Sequence, residues 1–230
     1  MKIIGHRGAS GYKPENTLES FKEATRMGVH MIELDVYVIK SGEVVVFHDD
    51  TLDRTTNGHG AITDITFDEL RKLDAGNGQC VPLLTEALDA IGKKTPVNIE
   101  LKGPNTAEPV AKIIDHYMMK KRWPNKSFLV SAFDHNELNK LSDLMPKVPI
   151  SYLYRKFSSK SLHAIGSKGI FSANLSSKFL TKKDVSLLHS KGIKVYAYTV
   201  NSKRDIKRMH SLNVDGVFTD FPDRILAFRF

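Results

Sequence analysis

Eight short apolar or β-branched runs recur along the chain, at 2–5, 31–36, 97–101, 128–132, 150–154, 170–174, 194–200 and 216–219. Each ends in polar residues and is followed by an amphipathic stretch. Their near-continuous hydrophobicity is that of strands buried on both faces. Alternation with helical stretches calls for parallel neighbours joined by crossovers. No run is followed by a glycine-rich dinucleotide fingerprint, so the predicted architecture is a closed (β/α)8 TIM barrel, with an open doubly wound sheet as the fallback. A chain of 230 residues with 41% apolar composition can bury one such core, and one domain over 1–230 is expected.

One run breaks the alternation. Residues 44–48 follow the second strand after only Lys40-Ser41-Gly42-Glu43, too short a link for a crossover helix, so an extra hairpin strand is predicted at the barrel mouth. A turn centred on Ser41-Gly42 pairs residues summing to about 83. That register sets Asp35 opposite His48 on one face. The polar, glycine-containing stretch of about 50–81 reads as a small segment inserted at the rim. Helix starts are expected at the capping-box spacings Asn16/Glu19 and Thr66/Glu69, and at Thr85, Asp134, Thr181 and Ser202.

Barrel chemistry gathers at the C-terminal ends of the strands. The first strand delivers His6 and Arg7; the second, Glu33 and Asp35; the hairpin, His48; the third barrel strand, Glu100 and Lys102. Within each of the pairs Glu33/Asp35 and Glu100/Lys102 the residues lie two apart, hence on one face of a strand. Charges inside apolar strands are costly to bury unless paired or bound to a metal. Carboxylates about 4 Å apart repel by roughly 4 kcal/mol at an effective dielectric near 20. With only Arg7 and Lys102 at hand, Glu33, Asp35 and Glu100 call for one divalent cation. All-oxygen ligands favour Mg²⁺ or Ca²⁺ over Zn²⁺. The competing reading is a set of structural salt bridges to the same two cations. His6 and His48 can give and take a proton near neutral pH, while Arg7 and Lys102 suit a phosphate.

The whole-chain balance fits such a ligand without choosing it. A net charge of +8 and a pI near 9.4 favour phosphate esters, nucleic acid or an anionic surface alike. The lone Cys80 excludes an intramolecular disulfide. The few apolar residues before His6 are too short for a signal-peptide core or a span. A soluble, cytoplasmic protein without stable membrane insertion is expected.

Taken in order, His6-Arg7-Gly8, Pro14-Glu15-Asn16-Thr17, Glu33-Leu34-Asp35-Val36, His48-Asp49, Asp53-Arg54-Thr55-Thr56-Asn57-Gly58, Pro82-Leu83-Leu84-Thr85-Glu86-Ala87-Leu88, Glu100-Leu101-Lys102 and Thr199-Val200-Asn201 resemble the glycerophosphodiester phosphodiesterase family of the cytosolic bacterial type. The similarity runs along nearly the whole chain. It implies a TIM barrel with an insertion at about 50–81, and His6 and His48 as the acid and base pair. It further implies Glu33, Asp35 and Glu100 as metal ligands, and Arg7 and Lys102 as phosphate contacts. Many relatives carry Trp where this chain has Tyr198, a position implied to wall the glycerol or head-group pocket.

The expected activity is metal-dependent hydrolysis of a glycerophosphodiester to sn-glycerol 3-phosphate and an alcohol, with a small-molecule partner and no nucleic acid. Two alternatives stand beside it: a lysophospholipase D-type phosphodiesterase, and a non-enzymatic anion- or nucleic-acid-binding module. Asn16 reads equally as a helix cap or as a site residue.

Overall fold

The computed structural model describes residues 1–158, 161, 165 and 169–228. In chain order its elements are β1 (Lys2–Gly5), α1 (Leu18–Met27), β2 (Met31–Val38), β3 (Val44–Val46), α2 (Phe67–Leu70), α3 (Leu84–Ile91), β4 (Val97–Leu101), α4 (Ala107–Met119), β5 (Phe128–Ala132), α5 (His135–Leu144), β6 (Ile150–Tyr154), β7 (Ser172–Ser176), α6 (Lys182–His189), β8 (Lys194–Tyr198), α7 (Lys203–Ser211), β9 (Gly216–Thr219) and α8 (Pro222–Leu226). The strand order is β1-β9-β8-β7-β6-β5-β4-β2, and β1 also pairs with β2. All pairings within this ring are parallel. The fold is therefore a closed eight-stranded TIM barrel, with β3 bonded outside the ring.

Outward-facing Ile32, Leu34, Val97, Ile99, Val130 and Val195 are fully buried, because helices cover the barrel wall. Helix α1 starts where the Thr17 hydroxyl accepts from Ser20 N–H, and ends at Gly28 in the left-handed region. It seats Phe21 and Ala24 in that layer. Removing the Phe21 ring would cost roughly 3–5 kcal/mol.

Four local expectations are corrected. The hairpin register is one residue lower than spacing indicated: Val36 pairs with Val46, and Phe47 N–H donates to Asp35 O at 2.9 Å. Asp35 therefore faces Phe47. The cause is a three-residue turn, Lys40-Ser41-Gly42, closed by Ile39 and Glu43, with Gly42 at φ 98°. Next, α1 is capped by Thr17, which frees Asn16 for the site. Helix α3 starts at Leu84, with the Glu86 carboxylate accepting from Leu83 N–H, so Thr85 lies inside it. Strand β7 runs two residues later than 170–174, and its inward positions Ser172 and Asn174 carry side-chain hydrogen bonds to Ser151 where apolar packing was expected. Asp134, Thr181 and Ser202 do cap helices.

The rim segment between β3 and α3 folds over the hairpin. Leu52, Ile62, Leu70, Ala75 and Val81 pack on Tyr37, Ile39, Val45 and Phe47 in a second apolar cluster. Among the described residues no helix is long and apolar enough to cross a membrane.

Candidate active site

Strand β1 ends in a sharp turn. Arg7 (φ 54°) and Gly8 (φ 84°) both lie in the left-handed region. A Cβ on Gly8 would stand 2.3 Å from Ser20 Oγ and 2.7 Å from its carbonyl carbon, so only glycine fits. The turn brings Arg7 N–H to 2.8 Å from Glu33 Oε2 and leaves His6 and Arg7 lining a cavity of about 230 Å³ at the barrel mouth.

The parallel register of β2 and β4 sets Asp35 beside Glu100, and Glu33 lies one inward position deeper. All three are buried, and one oxygen from each lies within 4.8 Å of the others. Lys102 Nζ stands 3.0 Å from Glu100 Oε1 and 3.8 Å from Asp35 Oδ1. Asn16 Nδ2 donates to Asp35 Oδ2 at 2.9 Å. These partners leave negative charge uncompensated. Burial, then Asp35 and Glu100, hold the Glu33 carboxyl well above the usual range. Burial and Asp35 push Glu100 up to about 7 despite Lys102. Three converging oxygen donors with excess negative charge fit a hard divalent cation.

The two histidines approach from different elements. His6 follows β1 and directs Nδ1 at Asp220 Oδ1, 2.6 Å away. Asp220 begins the turn after β9 and also accepts from Asn201 Nδ2 and Ser10 Oγ. Burial alone would raise the Asp220 carboxyl; these hydrogen bonds and the His6 ring overcome it and hold it at about 2. His48 follows β3, where the chain leaves the ladder. Its Nδ1 lies 2.5 Å from Asp49 Oδ1 and its Nε2 lies 3.2 Å from Lys102 Nζ. Burial, with the Arg7 and Lys102 cations, lowers the His48 pKa against the opposing pull of Asp35 and Asp49.

Arg7 and Lys102 are the cations beside the acids. Burial weakens both, yet the neighbouring carboxylates hold each above its ordinary value. The Arg7 Nη1 group donates to Glu15 Oε1 at 2.6 Å. Its Nε is buried 3.4 Å from Asp35 Oδ2, so the guanidinium lies between two carboxylates. A relay extends outward from here. Arg54 of the rim segment forks onto both oxygens of Glu15, at 2.7 and 2.8 Å, and onto Asp49 at 2.5 and 2.9 Å. It thereby ties the carboxylate behind His48 to the one behind Arg7.

All eight residues singled out in the sequence, His6, Arg7, Glu33, Asp35, His48, Glu100, Lys102 and Tyr198, line this one cavity. The Tyr198 hydroxyl donates to Tyr154 O at 3.0 Å, and its ring meets Phe133 edge to face. The sequence reading missed Asp220, Asn98 and Asn174, and gave Glu15 and Arg54 no site role. Asp220 follows the last strand just as His6 follows the first, and that position was the available signal.

The chain matches the model of the glycerophosphoryl diester phosphodiesterase family over residues 6–224. It is 37% identical to a glycerophosphodiester phosphodiesterase of Bacillus altitudinis, covering 99% of this chain and 98% of that one. It is 28% identical to a Homo sapiens lysophospholipase D, covering 99% and 85%. Its fold superposes with a TM-score of 0.90 on an Oleispira antarctica phosphodiesterase solved with its product sn-glycerol 3-phosphate, at 30% identity and 99% and 96% coverage. Membership of a hydrolase family replaces the reading of a non-enzymatic module. The chain belongs to the glycerophosphoryl diester phosphodiesterase family.

Proposed function

We propose that this chain, as one domain over 1–230 acting in the cytoplasm, hydrolyses glycerophosphodiesters to sn-glycerol 3-phosphate and an alcohol. His6 and His48 work as acid and base beside one divalent cation, Mg²⁺ or Ca²⁺, held by Glu33, Asp35 and Glu100. The single observation that carries this reading is the convergence of three buried carboxylates, two histidines and two cations on one cavity. A bound cation supplies Lewis-acid stabilisation at a phosphoryl oxygen and lowers the pKa of a coordinated hydroxyl or water.

The residues of the chain divide the remaining work. Arg7 and Lys102, both lining the cavity, orient the phosphate. An ammonium donates only, so the Lys102 contact leaves His48 Nε2 without a proton, the state a base needs to accept one from the attacking oxygen. His6, with Nδ1 held by an ionised Asp220, suits protonation of the leaving alcohol at Nε2. Tyr198 and Phe133 wall the mouth, where the leaving alcohol departs.

The test is turnover of a panel of glycerophosphodiesters, with glycerol 3-phosphate as readout, after chelation and add-back of Mg²⁺ or Ca²⁺. Activity that vanishes with EDTA and returns with the ion is expected. Full activity in excess EDTA would contradict the reading. A second reading, lysophospholipase D activity, follows from the 28% identical human relative. Comparing glycerophosphocholine with lysophosphatidylcholine separates the two.

A further inference from the structure

One inward position below Asp35 and Glu100, beside Glu33, the barrel interior stays polar. Asn98 lies two residues before Glu100 on β4, and so faces inward as Glu100 does. Its Nδ2 donates to Ser131 Oγ at 3.0 Å, and its Oδ1 has no partner. Across the ring on β7, Asn174 Oδ1 accepts from Ser151 Oγ at 2.7 Å, and its Nδ2 has no partner. The two residues are 1% and 0% exposed, yet both line the cavity of the candidate site. Beside and below them Ile4, Met31, Leu129, Tyr196 and Phe218 form an apolar plug, within which the Tyr196 hydroxyl likewise has no partner.

An unpartnered buried amide end costs about 1–3 kcal/mol. Two in one cavity call for a ligand group that completes both. We propose that Asn98 and Asn174 form a hydroxyl-binding floor for the C1 hydroxyl of a glycerol-3-phosphoryl group, and so restrict the site to deacylated diesters. This rests on the hydrolysis proposed above.

The chemistry selects the group. A hydroxyl both donates and accepts, so it satisfies a carbonyl oxygen and an amide nitrogen alike. A phosphate oxygen would be repelled by Asn98 Oδ1, and its place is higher, between Arg7 and Lys102. The leaving alcohol has to depart through the mouth, so the retained glycerol phosphate points inward. With the phosphate and the C2 hydroxyl at the level of Asp35 and Glu100, C1 bears the one remaining polar group, one carbon deeper, at the level of Asn98. In a lysophospholipid that oxygen carries an acyl chain. It then has no proton to donate, and the chain would have to enter the apolar plug.

The experiment compares the metal-loaded enzyme on glycerophosphocholine, on its 1-deoxy analogue 2-hydroxypropyl phosphocholine, and on lysophosphatidylcholine. The same comparison is run with Asn98→Leu and Asn174→Leu. Wild type is expected to favour glycerophosphocholine over each of the others by at least about 10²-fold in kcat/KM, as sites built around a substrate hydroxyl do. Each leucine variant should narrow its preference over the deoxy analogue to under about 10-fold. Calorimetric binding of sn-glycerol 3-phosphate against 2-hydroxypropyl phosphate to wild type should show the same preference without turnover. Rates and affinities within about threefold would overturn the floor, leaving the two amides to an ordered water. So would rapid cleavage of lysophosphatidylcholine. Failure to cleave glycerophosphocholine at all would overturn the hydrolysis reading itself, and the floor with it.

Discussion

Asp220 Oδ1 accepts a hydrogen bond from His6 Nδ1 at 2.6 Å, across the seam where the last barrel strand closes on the first. The barrel joins residues from the two ends of the chain, and the pair fixes which ring nitrogen of His6 faces the cavity. Asp220→Asn keeps the shape and removes the charge that stabilises an imidazolium. Turnover should fall roughly 10²- to 10⁴-fold, and the melting temperature should fall as well, because the folded chain holds this carboxyl below its ordinary value. Wild-type kcat in this variant would remove Asp220 from the site.

His48 gives a pH signature. Burial and the neighbouring cations depress its pKa, so it stays neutral below the ordinary histidine value. If it is the base, the acid limb of kcat/KM should lie below about pH 6.5. Lys102→Met removes one of the depressing charges and should move the limb upward as well as raise KM. His48→Ala should lose roughly 10²- to 10⁴-fold in kcat. An acid limb unchanged by Lys102→Met would contradict the assignment.

Glu100 links stability to pH and metal. Its carboxyl is raised from 4.5 to about 7 in the folded chain. Across that window the folded chain holds a proton that the unfolded chain has lost, so this contribution to stability is full below pH 4.5 and is lost as pH rises through about 7. The metal-free protein should therefore melt lower at about pH 8 than at about pH 5, and Mg²⁺ or Ca²⁺ should stabilise it more at the higher pH. Glu100→Gln should flatten both trends. Melts with and without EDTA at the two pH values read this directly.

Arg54 acts at a distance. Its side chain is 48% exposed, so its ion pairs contribute only about 0–1 kcal/mol to folding. It nevertheless holds Asp49 behind His48 and Glu15 behind Arg7. Arg54→Ala should leave the melting temperature nearly unchanged and lower kcat/KM roughly 10- to 10²-fold through misplacement of both. Arg54→Lys keeps the charge, lacks the fork, and should rescue little.

What could be read in advance follows from where each signal lies along the chain. Glu33, Asp35 and Glu100 were legible because an acid within an apolar strand contradicts its surroundings over a few residues. His6 and His48 were legible because each comes at the end of a short apolar run. Asp220 was not, since its partner is contributed by the opposite end of the chain. The hairpin was legible and its register was not, because a turn centred on Ser41 rather than on Ser41-Gly42 shifts every pair by one. Asn16 read equally as a cap or as a site residue until Thr17 proved to hold the cap. Asn98 and Asn174 resemble ordinary strand polars until the closed barrel turns both toward one cavity.

The arrangement of the two histidines is tested most directly by a crystal structure with a divalent cation and sn-glycerol 3-phosphate bound. The expected result is one ion between Glu33, Asp35 and Glu100, with Arg7 and Lys102 on the phosphate and His6 and His48 on opposite sides of it. An ion bound elsewhere, or a His48 ring turned away from the phosphate, would contradict it.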